Sequence, residues 1–499
     1  MKYATLNWKI IDVLNQFYQQ LQEEILHIGY SLCFVSVGFL LGVKVGKKQW
    51  LSEEKKEEER TLMKERTFSL KYGKTELALS IPAEQLICEI MGKEYPPVTD
   101  VAGAVKAALA RPIDAPPLRE VVRPGEKVVI TVSDITRAWQ RMDLILPIML
   151  DELNAAGVPD NNITILIVVG GHRLNSKEEF QMLCGENVCH RVQVLNHDAW
   201  DEANMVYLGK TSRGTEVSVN RVVAEAERVI LTGGIIYHYM VGYGGGRKSI
   251  LPGCSSIKTI RQNHLLSLGP NMGDGSNPNS ISGKTRGNEC HEDMMEIAAF
   301  VKPDFILNMV PTPDGKVAAI FAGNWVSAWM EGTKLVDEIY GVEISAKADI
   351  VITTAGGYPK DINLYQTGKT MDNACYAVKK GGVVILLSEC PDIYEPLEFS
   401  DWFKHGDKNA VEKVLRANFT IPGWVAFKEM ECSTIATFIM ITKEENMELV
   451  RKANMIPAVS MAEALDIAYN KCAADKPQFI VMPQGANTVP LSAGQPKIG

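Results

Sequence analysis

Residues 127–137 read KVVITVSDITR, and residues 163–173 read ITILIVVGGHR. Each begins as an apolar run too short for a helix and apolar on both faces. That is the signature of a central strand in a parallel sheet covered by helices on either side. Residues 228–232 (RVILT), 349–353 (DIVIT), 382–387 (GVVILL) and 479–482 (FIVM) repeat the pattern. Helical segments lie between them, among them 143–156, stopped by Gly157. Residues 304–309 and 316–321, joined through Pro313-Asp314-Gly315, read as a hairpin. The expected fold class is α/β with mostly parallel sheets.

The polar residues that follow these strands matter most for function. In open α/β sheets ligands sit beyond the carboxyl ends of the strands. The first strand delivers Asp134 and Arg137 there and the second delivers His172. The third, RVILTGGIIYH, delivers His238. One histidine after a strand is an ordinary loop residue. Two histidines with an acid and an arginine, arriving in the same way, mark a site.

Next comes VGYGGGRKSILPG at 241–253. Gly244, Gly245 and Gly246 permit a tight turn and close backbone approach, and N–H groups in such a loop can hold a phosphate. Arg247 stands where a Walker A loop needs glycine, which excludes that class of nucleotide triphosphatase. Lys248 can bind an anion or act as an amine nucleophile. Ser255 or Ser256 can cap the following helix, which carries His264.

The totals narrow the classes further. At 499 residues the chain exceeds one ordinary core. A net charge of -8 argues against a nucleic-acid partner. The ten cysteines form no CxxC and no secreted disulfide framework, which suits a cytoplasmic protein. Residues 1–66 stand apart as a hydrophobic helical extension. Residues 25–43 are apolar and just long enough to span a bilayer, with Lys44, Lys47 and Lys48 after them. A membrane anchor and a dispensable extension, from a start upstream of Met63, are both open readings.

Together, Asp134-Ile135-Thr136-Arg137, Gly171-His172-Arg173, His238, GGRKSILPG, His264 in RQNH, Tyr365-Gln366-x-x-Lys369 and Trp424 resemble the nickel-pincer lactate racemase family. They do so in order and at similar spacing, from Thr67 to the C terminus. The resemblance implies a racemase or epimerase that inverts C2 of a 2-hydroxy carboxylate by reversible hydride transfer to a nickel-pincer nucleotide. In that family the nucleotide is a pyridinium held through a thioamide, here on Lys248. By the same resemblance His264 is the protein ligand to nickel, and His172 and His238 are the acid–base pair. Arg137, Gln366 and Lys369 bind substrate, and Tyr365 and Trp424 wall the pocket. Asp134 orients its neighbours on the cofactor side, with Gly245, Gly246 and Arg247 beside it. Proteins that make and supply the cofactor are the implied partners. Two α/β domains around a central cleft are expected, 67–340 for the cofactor and 341–474 closing over it, with the tail 475–499 returning to the first.

Two departures from the pattern bear on the substrate's side chain. Ala138 stands where proline is usual, and Trp424 lies in IPGWVAFKE without the family's polar neighbours. Two other functions compete. A zinc hydrolase would use His172, His238 and His264 as ligands, and a carrier would bind the nickel nucleotide without turnover.

Overall fold

In a computed structural model of the chain, the structure describes residues 65–492. The apolar segment 25–43 and the charged run 53–60 lie outside them. Among the described residues no helix is long and apolar enough to cross a membrane.

Val128–Ser133 and Ile163–Val168 are paired parallel strands, with Val128 opposite Ile163 and Ser133 opposite Val168. They sit centrally in a six-stranded sheet. Its order is Val317–Gly323, Phe305–Pro311, Arg228–Gly234, Val128–Ser133, Ile163–Val168, Gln193–Asn196. Only the first pair is antiparallel, as the expected hairpin. Its turn is closed by the Thr312 N–H on the Lys316 carbonyl at 2.8 Å. Helix Met142–Ala155 covers one face and buries Ile145, Leu146, Met149, Leu150 and Leu153 against the strands. Gly157, at φ 88°, follows its end.

A second six-stranded sheet is parallel throughout. Its order is Ile456–Ala458, Thr437–Ile441, Val378–Leu387, Ala348–Thr354, Phe479–Met482, Leu86–Glu89. Phe479–Met482 pairs with Ala348–Thr354 in the second sheet, not the first. The reason is burial: all four residues are covered, so the strand needs neighbours on both sides. Leu86–Glu89, from the start of the region assigned to the cofactor domain, supplies the outer one. Strands from early and late in the described chain thus meet in one sheet, and Thr67 onward forms one compact unit.

Two further helices carry expected site residues. Leu364–Ala377 is capped by Asn363, whose side chain accepts the Gln366 N–H at 3.0 Å. Ile421–Ile435 is capped by Thr420. They lie side by side, with Lys428 of the second reaching Asp372 of the first at 3.3 Å.

Candidate active site

Asp134 leaves the carboxyl end of its strand and caps a short 3-10 turn, Ile135–Gln140, by accepting the Thr136 N–H at 3.0 Å. Its other oxygen lies 2.5 Å from His172 Nδ1, on the loop after the neighbouring strand. Burial pushes the Asp134 carboxyl up, but His172, Thr136 and Arg137 together bring it below the usual carboxylate range. A carboxylate in that position keeps the proton on Nδ1 and leaves the lone pair on Nε2. His172 is exposed, so that lone pair is open to a reactant.

His238 sits in a two-residue strand, Tyr237–His238, paired with Gly242–Tyr243. The chain then turns through Gly246–Ser249 and places Lys248 Nζ 3.2 Å from His238 Nε2. Burial, then Arg247 and Arg137, pull the Lys248 amine down to about 7. Burial also holds His238 well below its ordinary value, helped by Lys248, Lys369, Arg137 and Arg247. His238 is therefore an uncharged imidazole at neutral pH. Lys369, on helix Leu364–Ala377, is lowered to about 8 by burial, Arg137 and Lys360. Tyr365 on the same helix feels the charges of Arg137 and Asp134. The structure thus brings Asp134, Arg137, His172, His238, Lys248, Tyr365 and Lys369 toward one region, with Gln366 on the first turn of the helix that carries the last two.

His264 is buried on helix Ile257–Leu265, capped by Ser256 as expected. Its Nδ1 lies 3.2 Å from Asn263 Oδ1, and burial and Lys248 lower it to about 3. A neutral imidazole held by a second residue is what a metal ligand requires. Trp424 is fully buried, with its ring 4.8 Å from that of Tyr239, the residue after His238.

The glycine-rich segment behaves differently from the expectation. Arg247, expected to contact the cofactor, is buried and turned into the protein. Its guanidinium donates to the carbonyls of Tyr243 and Val241, both at 2.8 Å, and lies 4.4 Å over the Trp329 ring. It therefore ties the loop down from inside, because a turn of this kind leaves its carbonyls without strand partners. The N–H groups are used internally as well. Gly246 donates to Asn308 Oδ1 at 2.9 Å and Gly244 to the Ile236 carbonyl at 2.8 Å.

The glycines are required for packing. At Gly246, φ is 56° and an added Cβ would lie 2.7 Å from Trp329 Cδ1; at Gly245 it would lie 2.6 Å from Asn308 Oδ1. Gly246→Ala is expected to destabilise the protein by about 3 kcal/mol, from positive-φ strain plus overpacking, and thermal unfolding checks it. Asn308 and Trp329 are the residues that sequence reasoning missed. The available signal for Asn308 was a polar side chain inside the apolar strand FILNMVP.

Among the described residues no group of three or more His, Cys, Asp or Glu is placed to hold a metal ion. The three-histidine zinc set is therefore not assembled.

Two six-stranded sheets, one mixed and one parallel, with helices around them define the class: an α/β protein. Comparison with known proteins then narrows it. The lactate racemase N-terminal domain model matches residues 72–275, and the lactate racemase C-terminal domain model matches residues 344–489. The chain is 33% identical over 426 residues to the lactate racemase of Thermoanaerobacterium thermosaccharolyticum, covering 84% of this chain and 97% of that one. It is 36% identical over 289 residues to the lactate racemase of Lactiplantibacillus plantarum, covering 58% and 66%. The structure of the Thermoanaerobacterium thermosaccharolyticum apoprotein superposes with a TM-score of 0.77 at 32% identity, over 85% of this chain and all of that one. A Thermotoga maritima protein shares the fold at a TM-score of 0.59 and 16% identity, over 80% of this chain and all of that one. The chain belongs to the lactate racemase family.

Proposed function

We propose that this protein is a racemase or epimerase that inverts C2 of a 2-hydroxy acid, lactate or a relative of it, with a nickel-pincer nucleotide joined to Lys248. The relatives of known activity are lactate racemases. The observation that carries the reading is the buried amine–imidazole contact between Lys248 and His238, in the same crowd of cations as the His172–Asp134 pair.

The residues present fit such a cofactor. Lys248 is poised near neutrality and can form a bond through nitrogen. His264 offers an uncharged ring. Beyond burial, the charge of Arg137 lowers both the Lys248 and the Lys369 amines, a surplus of positive charge that suits a bound anion. When bound, the group would supply a hydride acceptor and donor for C2, which no side chain can replace.

The remaining steps fall to this chain. Arg137 would grip the substrate carboxylate in forked form and Lys369 as a point charge, with Gln366 beside them. His172, with an open Nε2 lone pair, would take the hydroxyl proton from one enantiomer. His238, on a separate loop, would serve the other. Tyr365 and Trp424 would exclude water. Proteins that build the cofactor would be the natural partners.

Loading the protein with cofactor and offering a panel of chiral 2-hydroxy acids tests the reading, with chiral chromatography as readout. Inversion of at least one acid is expected. Bound cofactor without inversion of any acid would overturn it and leave the carrier function.

A further inference from the structure

We propose that, before the cofactor is attached, His238 and Lys248 occupy one another, the ring's Nε2–H resting on the amine's lone pair, so that acylation of Lys248 is what releases His238 to the pocket. This rests on the racemase reading and adds an order of events to it.

The argument is a count of hydrogens. A neutral imidazole carries one N–H and one acceptor nitrogen. His238 Nδ1 accepts the Met240 backbone N–H at 3.2 Å. That donor is fixed, since the Met240 carbonyl accepts from Asn288 at 3.0 Å and His238 is paired with Gly242. The ring proton must therefore be on Nε2, which lies 3.2 Å from Lys248 Nζ. An ammonium there would set N–H against N–H. A free amine accepts the bond. The surroundings agree, because Arg137, Arg247 and Lys369 all disfavour a further positive charge on either group, and the Cys290 thiol, pushed up to about 12 by burial, carries no charge to offset them.

Lys248 as a residue is only partly buried. Acylation by an activated acyl donor forms the N–C bond and breaks the bond from that carbon to the leaving group. The leaving group departs with the electron pair and takes the proton lost by nitrogen. The amide-type nitrogen that results has no lone pair to offer. His238 Nε2–H then lacks its partner and faces whatever fills the pocket. Attachment and exposure of this ring N–H to the pocket are one event.

The test uses the full cofactor-free chain with 15N-labelled histidine. Long-range proton–nitrogen correlation reads each ring's tautomer, and His238→Gln assigns the signal. The Nε2–H form is expected at His238, and an Nδ1–H form would overturn the proposal. Acetylating Lys248 with acetyl N-hydroxysuccinimide ester, or replacing it as Lys248→Met, should shift the His238 signal. His197, whose Nε2 lies 3.0 Å from the Ser255 carbonyl and Nδ1 3.1 Å from Asn220 Nδ2, should not move. An unmoved His238 would equally overturn it.

The sign of a pH profile gives an independent check. His238→Phe removes a donor to the neutral amine, so the midpoint for Lys248 acetylation should rise. The rate below that midpoint should fall about fivefold, the equivalent of one neutral hydrogen bond. A lower midpoint would mean that an ammonium donates to the ring. Loss of inversion with the tautomer and shift as expected would count against the racemase reading alone.

Discussion

Lys248→Ala is expected to abolish the covalent adduct and with it all inversion, while the chain stays folded. Both halves follow from the environment of the amine. In the structure Nζ contacts His238 Nε2, and burial, with the cations around it, pulls it down to about 7. Removing an uncharged amine leaves no unpaired charge behind, only the His238 N–H without its partner, so the cost to stability should stay within about 1–3 kcal/mol. The loop itself is held by other residues, namely Arg247 on the carbonyls of Val241 and Tyr243, and Trp329 on that of Gly244 at 2.9 Å. The alanine variant should therefore keep the fold and lose only the attachment point. Peptide mass after cofactor loading checks the adduct, and thermal unfolding checks the fold. An unchanged mass increment on the same peptide would refute the role given to Lys248.

Much of this arrangement could be read from the chain because it is local. A strand buried on both faces must be apolar throughout, and its end is announced by the first polar residue. That made Asp134, His172 and His238 legible as residues of one sheet edge. Helix caps such as Ser256 and Asn363 are equally local, since the capping oxygen and its N–H partner lie three residues apart. What escaped depends on distant partners. Leu86–Glu89 is four residues long, and only its pairing with Phe479–Met482 reveals its sheet. Arg247 and Lys248 are adjacent cations after the same glycines, and the sequence does not tell which one turns inward. Trp329, far along the chain, decides it by covering the guanidinium.

His172→Gln should reduce inversion on the order of a thousandfold, within the range for losing a general acid–base group. Nickel and the adduct should remain. The ring is exposed and its side chain pairs with Asp134 on the neighbouring loop, so the change removes no core contact. It does remove the lone pair that the Asp134 carboxylate orients. Both directions of inversion pass through the same proton transfer, so both should slow equally. Asp134→Asn separates orientation from presence. An amide can turn its NH2 toward Nδ1, which would move the ring proton to Nε2 and silence the base while leaving the imidazole in place. A loss of similar size in Asp134→Asn would mean that the tautomer matters as much as the ring. If His172→Gln lost nickel instead, the histidine would be a ligand, and the separation of roles between His172 and His264 would fail.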